Sequence, residues 1–184
     1  MIRISSEHKA IFCHIPRTGG TSIEEVLSDW VRISWNRNGV MNFKKRFIGS
    51  GQFIYETYPH DYFVFTTVRN PYDRYLSGLK YYDYISKLPT TNRYWAENLD
   101  RMKFWMHEHI TATQCKILGD LVPDYIMHLE SIDKDFKLIR GKFNIRGDLP
   151  KLNSYSQGKL TPEQIDWVTE HFAEDFKAFG YKKR

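Results

Sequence analysis

Two short segments of the sequence combine cationic side chains, hydroxyls and glycines in patterns that suit the binding of anions. The first covers residues 16–22, Pro-Arg-Thr-Gly-Gly-Thr-Ser, between an apolar run and an amphipathic one. Glycines let backbone N–H groups approach an anion closely, and the start of a following helix adds partial positive charge. An ordinary strand-to-helix turn with a capping threonine would carry the same pattern. The candidate anion-binding residues are Arg17, Thr18, Gly19, Gly20, Thr21 and Ser22.

The second segment begins at Arg69, directly after the run Tyr-Phe-Val-Phe-Thr-Thr-Val. Ser77 follows eight positions later, about two helical turns further on. A serine at that spacing could face the same anion that Arg69 holds. The alternative is that Arg69 pairs with Asp73 and that Ser77 is a small helix-packing residue.

The first segment differs from the phosphate-binding loop of nucleotide triphosphatases. That loop needs Gly-x-x-x-x-Gly-Lys-Ser/Thr, and no Gly-Lys-Ser/Thr occurs in the chain. Those enzymes also hold Mg²⁺ with an acidic strand end, whereas the run at residues 62–68 ends in Arg69. Glu130 also follows an apolar run, but it is a single carboxylate. We therefore expect an anion to be bound without an obligate metal.

The strands and helices that must position these segments follow from the apolar pattern. Runs rich in β-branched and aromatic residues predict strands at residues 9–15, 62–68 and 125–129. Each strand precedes a stretch with apolar residues at helical spacing. Strands that alternate with helices predict an α/β fold with a parallel sheet between helices. In such folds, ligands bind at the carboxyl ends of the strands.

Several predicted element boundaries can be tested against a structure. In the first half of the chain they are a helix whose apolar stripe extends through Val31, a strand at residues 46–48 and a helix from Pro71 toward Ile85. Residues 93–118 are expected to be largely helical, and Ser131 is expected to cap a helix that runs to about Arg140. The last helix should start in a Thr161–Gln164 capping box, carry its apolar stripe through Phe176 and stop at Gly180.

Composition limits the class of protein. The chain has 184 residues, which predicts a single domain over residues 1–184. It carries 27 Lys and Arg against 22 Asp and Glu, and this net charge of +5 favours anionic partners. Two cysteines, Cys13 and Cys115, cannot form a disulfide framework, and no Cys or His spacing suits zinc. No apolar stretch is long enough for a membrane span and no signal-peptide pattern is present, so we expect a cytoplasmic location.

Together, the two anion segments resemble those of the sulfotransferase superfamily. Residues 16–22 resemble its 5′-phosphosulfate-binding motif, commonly Pro-Lys-Thr-Gly-Gly-Thr-Ser, and Arg69 with Ser77 resembles its 3′-phosphate-binding motif. Residues 68–74 are similar to the Golgi-type carbohydrate sulfotransferases and their bacterial relatives. Similarity to later family motifs extends the resemblance over nearly the whole chain, at residues 128–136, 149–153 and 179–181.

The resemblance implies a three-layer parallel sheet flanked by helices, with a P-loop nucleotide-hydrolase-like sulfotransferase core. It implies the donor 3′-phosphoadenosine-5′-phosphosulfate (PAPS), a hydroxyl acceptor of the carbohydrate class, no metal and no nucleic acid. The family's usual lysine is Arg17 here. Because an arginine with a pKa above about 12 does not give up its proton, Arg17 is expected to stabilise the leaving oxygen electrostatically.

The general base is the part that the resemblance does not supply. Related enzymes often carry a histidine just after the second strand, where this chain has Ile-Gly-Ser-Gly-Gln at residues 48–52. His109 is the first candidate, because residues in that helical stretch would cover the acceptor pocket; Glu56 and His14 follow. His60 precedes a strand and is expected at the opposite end of the sheet. For each of these groups, an ordinary structural role is the alternative.

Two other functions fit parts of the pattern. A small-molecule kinase would also bind a nucleotide, but it would require magnesium and the missing Gly-Lys-Ser/Thr. A non-catalytic nucleotide- or polyanion-binding module would explain the missing family histidine, and it would bind adenosine 3′,5′-bisphosphate without turning over a donor.

Overall fold

A computed structural model describes residues 2–33, 54, 61–86, 107–152 and 158–184. The described residues cluster into two compact units, Met1–Asn70 with Gln114–Ser154 and Pro71–Thr113 with Tyr155–Arg184. The expectation of a single domain over residues 1–184 stays a prediction. The elements are β1 (Ile2–Ser5), β2 (Ala10–Cys13), α1 (Gly20–Val26), β3 (Val31–Ile33), β4 (Phe63–Val68), α2 (Pro71–Ser86), α3 (Gln114–Leu118), β5 (Tyr125–His128), α4 (Ile132–Phe143), α5 (Pro162–His171) and α6 (Ala173–Ala178).

The first unit contains one five-stranded sheet in the order β3-β1-β2-β4-β5. Strands β2, β4 and β5 are parallel, as the alternation of strands and helices predicted. The prediction of an all-parallel sheet is wrong for the part that contains β1 and β3, because β1 pairs antiparallel with both β2 and β3. The fold is therefore mixed α/β. A short connection over residues 6–9 joins β1 to β2, which is what an antiparallel pair permits.

The helix after β2 is shorter than its apolar stripe predicted. It ends at Val26, and Val31 instead opens strand β3 with 66% of its surface exposed. Trp30 is buried although it lies in the turn that connects α1 to β3, and its ring stands edge-on to Phe65 and Phe143. Spacing alone could not separate the two arrangements, because Trp30 reaches the core without being helical.

One face of the sheet forms the core of the first unit. Phe12 of β2, Phe65 of β4 and Met127 of β5 pack against apolar residues of α1 and α4. Phe12 and Phe65 stand opposite each other in the parallel register, with ring centroids 5.3 Å apart. The α4 helix begins after Ser131, as predicted. However, the serine hydroxyl donates to the Asp135 carboxylate (2.8 Å) and does not cap a backbone N–H.

The second unit is built from helices, with α2 and α5 packed together. The capping box at the start of α5 is confirmed in both directions. The last helix is not continuous to Phe176, because Phe172 separates α5 from α6. The interruption is local, since the Phe176 N–H still donates to the Phe172 carbonyl (3.2 Å). Both rings join a core with Tyr72, Leu160 and Val168.

The remaining predicted elements are tested only in part. Residues 107–111 and α3 are helical and residues 112–113 between them are not, in agreement with the prediction that residues 93–118 are largely helical; residues 93–106 lie outside the described residues. The predicted strand at residues 46–48 also lies outside them. Within the described part of the chain, no helix combines the length and the apolar character that a membrane crossing requires.

Candidate functional site

Three parallel strands end at the same edge of the sheet. Cys13 of β2 lies opposite Thr66 of β4, and Val68 of β4 lies opposite His128 of β5. The chain therefore leaves this edge at neighbouring positions, into residues 14–19, Arg69 and the 3₁₀ turn Leu129–Ser131. This confirms the prediction that the two anion segments begin at adjacent strand ends.

The turn between β2 and α1 contains an unusual backbone conformation. Arg17 has φ +68° and Gly19 has φ +84°, both in the left-handed region. For a non-glycine residue that conformation costs about 1–3 kcal/mol and persists only where the surroundings impose it. Alternating left-handed residues turn successive peptide groups toward one side, which is how backbone anion cradles are built.

The hydroxyls of this turn have different surroundings. Thr18 is fully buried and its Oγ1 donates to the Ile15 carbonyl (2.8 Å), which uses its single proton inside the turn. Thr21 is exposed. The Ser22 Oγ accepts a long hydrogen bond from the Leu152 N–H (3.4 Å), which leaves its own proton for another acceptor. Thr18 would thus serve an anion through its backbone, and Thr21 and Ser22 through their side chains.

Both glycines of the turn are required by their neighbours. A Cβ at Gly19 would lie 2.5 Å from Leu129 Cδ1, in addition to the strain at its positive φ. A Cβ at Gly20 would lie 2.3 Å from His14 Cδ2 and 2.5 Å from Nε2. Since local packing already accounts for both glycines, they are weak evidence for an anion. The left-handed Arg17 is stronger evidence, because a non-glycine residue adopts this conformation only at an energetic cost.

A buried ionisable pair holds the turn against α1. His14 and Glu24 are 7% and 6% exposed, with Nδ1 and Oε1 2.6 Å apart. Burial lowers the pKa of His14 below its ordinary value, although the carboxylate opposes this. Burial would raise the pKa of Glu24, but the hydrogen bond with His14 and the Arg32 guanidinium, 3.6 Å away, lower it overall. The pair is therefore neutral imidazole donating from Nδ1 to a carboxylate.

Arg69, at the end of β4, connects the two anion segments. Its Nη1 donates to the Arg17 carbonyl at 3.4 Å, so the second segment reaches the backbone of the first. Both arginines belong to the first unit and are half-buried.

Two residues at this edge escaped the sequence analysis. Gln114 is fully buried, and its amide bonds both the N–H of Arg69 (2.9 Å) and the carbonyl of Arg69 (3.0 Å). Glu130 was noted only as a possible metal ligand, whereas its Oε1 accepts from the Asn70 N–H (2.8 Å). Gln114 lies 45 positions from Arg69 in sequence, and no local pattern marks it.

Two other predicted site residues belong to the second unit. Ser77 is buried on α2 of the second unit. His109 is half-buried in the same unit, with its ring centroid 6.1 Å from that of Tyr81. Their roles stay predictions. Glu56, His60 and residues 48–52 lie outside the described residues. His14, the third candidate base, has the buried partner described above.

The mixed sheet, the left-handed turn between strand and helix, and the two linked arginines define an α/β protein with a candidate anion site at its strand ends. A family model described as the sulfotransferase family matches residues 1–116, more than half of the 184 residues. The chain belongs to the sulfotransferase family, and the matched stretch includes both anion segments. No match was found among curated proteins or among solved structures.

Proposed function

We propose that this protein transfers a sulfuryl group from PAPS to a hydroxyl of a carbohydrate. Membership of the family supports sulfotransfer in general, and PAPS is the donor that the family generally uses. The observation that carries the proposal is the hydrogen bond from the Arg69 guanidinium to the Arg17 carbonyl (3.4 Å). It joins two cationic segments at one sheet edge, which suits a donor with two separate anionic groups.

Each segment takes one end of the donor in this proposal. Residues 16–22 hold the 5′-phosphosulfate with their backbone and with the hydroxyls of Thr21 and Ser22. Arg69 binds the 3′-phosphate, together with Ser77. The proposal also takes the parallel strands β2, β4 and β5 with this turn as a P-loop-like core, because ligands of such sheets bind beyond the carboxyl ends of the strands.

The transfer itself is positioning and charge stabilisation. The bond from sulfur to the bridging phosphate oxygen breaks as a bond from sulfur to the acceptor oxygen forms, and the hydroxyl proton passes to a base. Arg17 donates hydrogen bonds to the bridging oxygen as negative charge develops there. Arg17 remains protonated throughout, so the leaving group, adenosine 3′,5′-bisphosphate, takes no proton from it.

Residue chemistry and the family resemblance support a base and an acceptor class for the reaction. A neutral imidazole suits removal of a hydroxyl proton near pH 7, and His109 is the proposed base. The net charge of +5 favours anionic glycans over neutral ones. The similarity of residues 68–74 to the carbohydrate sulfotransferases points to the same acceptor class.

The test is a transfer assay on the purified protein with PAPS and a panel of neutral and acidic glycans, in excess chelator. Release of adenosine 3′,5′-bisphosphate with sulfation of a glycan is expected, and Arg17→Ala should abolish most of it. A requirement for magnesium and ATP would indicate a kinase. Tight binding of the bisphosphate with no turnover on any hydroxyl acceptor would indicate a binding module.

A further inference from the structure

Gln114 holds the residue that is proposed to bind the 3′-phosphate. We propose that Gln114 is a positioning residue that selects 3′-phosphorylated nucleotides by fixing the backbone of Arg69. The inference rests on the proposed function, since it takes Arg69 as the ligand of the donor's 3′-phosphate. It concerns a side chain that would not itself touch the nucleotide.

The geometry of the amide is specific. Its Oε1 accepts from the Arg69 N–H (2.9 Å), and its Nε2 donates to the Arg69 carbonyl (3.0 Å). A primary amide carries a donor and an acceptor on one planar group, which matches the N–H and carbonyl of a single residue. Arg69 is the first residue after β4, where the regular strand pairing has ended at Val68. The amide therefore replaces a strand partner for this single residue.

Fixing that backbone fixes the reach of the guanidinium. Arginine has a long, flexible side chain, so the direction in which it leaves the main chain decides which groups it meets. The next residue is held as well, because the Asn70 N–H donates to Glu130 Oε1 (2.8 Å). Two consecutive peptide groups are thus anchored by side chains, and the Arg69 Nη1 reaches the Arg17 carbonyl from this anchored position.

The alternative is that Gln114 is simply a buried polar residue whose bonds are satisfied. Its loss would then lower stability and affect all nucleotides alike. A positioning role predicts a selective effect on the contribution of the 3′-phosphate. The ratio of the dissociation constants of adenosine 5′-monophosphate and adenosine 3′,5′-bisphosphate measures that contribution directly.

Isothermal titration calorimetry of the full chain with both nucleotides provides the test. The wild type should prefer the bisphosphate at least about tenfold, since an arginine–phosphate contact is charge-assisted. Gln114→Met has similar volume and lacks both hydrogen bonds, so it should reduce the preference at least about fivefold. Its affinity for the monophosphate should stay within about twofold of the wild type.

Gln164→Met is the matched control. The same substitution there removes a side-chain bond to a backbone N–H, that of Thr161 (2.9 Å), in the capping box of α5. Its nucleotide preference should equal that of the wild type. In an Arg69→Ala background, Gln114→Met should cause no further loss of preference, because the two residues act through one contact.

The outcomes are distinguishable. A wild type with no preference for the bisphosphate overturns the assignment of Arg69 in the proposed function, and this inference with it. A wild-type preference that Gln114→Met retains overturns the inference alone. If Gln114→Met gives no cooperative thermal unfolding, Gln114→Asn is measured in its place; its shorter side chain cannot make both bonds, and the same loss of preference is expected.

Discussion

The ends of β2 and β4 lie side by side, but different chemistry holds them. After β2, the turn is fastened to α1 by the buried pair of His14 and Glu24, with atoms 2.6 Å apart. After β4, Arg69 is fastened by the neutral amide of Gln114 through two bonds of 2.9 and 3.0 Å. One anchor contains two groups that titrate, and the other contains none.

The difference matches what each strand end must do. The turn after β2 holds Arg17 in a left-handed conformation, which persists only where the surroundings impose it. A short buried hydrogen bond to a carboxylate is a strong constraint of that kind. Arg69 needs only a direction for its side chain, and an amide supplies it without burying charge. At the end of β2 a residue is held in a strained conformation, and at the end of β4 a side chain is held in one direction.

The largest effect is expected at the strained turn. If Arg17 stabilises the leaving oxygen, Arg17→Ala should lower turnover about 10²–10³-fold while changing donor affinity much less. Arg17→Lys should retain much of the activity, because it keeps a cation on a long side chain. Steady-state kinetics with PAPS measures both. Weakened binding with unchanged turnover would make Arg17 an anchor like Arg69.

In this account the general base for the acceptor hydroxyl does not come from the ends of β2 and β4, and His109 takes that role. His109→Ala should cut turnover at least about a hundredfold, with donor affinity within about twofold. Unchanged turnover in His109→Ala would direct the search to Glu56 and His14.

Stability should distinguish the two ends as well. Gly20→Ala places a Cβ 2.3 Å from the His14 ring, which its buried pairing prevents from moving. The cost should be about 1–3 kcal/mol in the free energy of unfolding, as for other overpacked sites. His14→Ala makes room for that Cβ, so the double variant should lose less than the sum of the single losses. Additive losses in denaturant unfolding would show that the ring is not the obstacle.

The smallest effect is a pH dependence confined to the first end. The folded-state pKa of His14 is below its ordinary value of 6.5, so its contribution is complete above that pH and is lost as pH falls below it. The lowered pKa of Glu24 acts in the same direction at lower pH. The stability advantage of the wild type over His14→Gln should narrow between pH 7.5 and 5.5, by on the order of 1 kcal/mol.

Gln114→Met is the companion variant in this comparison. An amide does not titrate in this range, so its stability loss relative to the wild type should be constant between pH 7.5 and 5.5. Denaturant midpoints for the three proteins at each pH provide the measurement. A narrowing in Gln114→Met equal to that in His14→Gln would mean that the pH dependence does not come from the buried pair.

The sequence predicted the parts of the fold that local pattern determines. The runs at residues 10–13, 63–68 and 125–128 are strands, and the capping box starts α5. Strand β1 was missed because its residues Ile-Arg-Ile-Ser carry only two apolar side chains, whereas the equally short β2 and β5 lie within longer apolar runs. The end of α1 was misplaced because Trp30 reaches the core from the turn after the helix.

The site divides in the same way. Both anion segments were found from residue type and spacing, because a glycine-containing turn and an arginine after a strand are local features. The partners that hold them were not. Glu24 was not singled out by any local pattern, and Gln114 joins Arg69 across 45 positions, a contact that only the folded chain creates. Gly19 and Gly20 were predicted to let the backbone approach an anion, and the structure places them where a side chain would meet Leu129 and His14.

The most direct test of the central claim is a crystal structure of the protein with adenosine 3′,5′-bisphosphate. The account predicts the 5′-phosphate within hydrogen-bond distance of backbone N–H groups in residues 17–22. It predicts the 3′-phosphate on the Arg69 guanidinium, with the Gln114 amide still bonded to the Arg69 backbone. A nucleotide bound away from the carboxyl ends of β2 and β4, or a 3′-phosphate with no contact to Arg69, would contradict it.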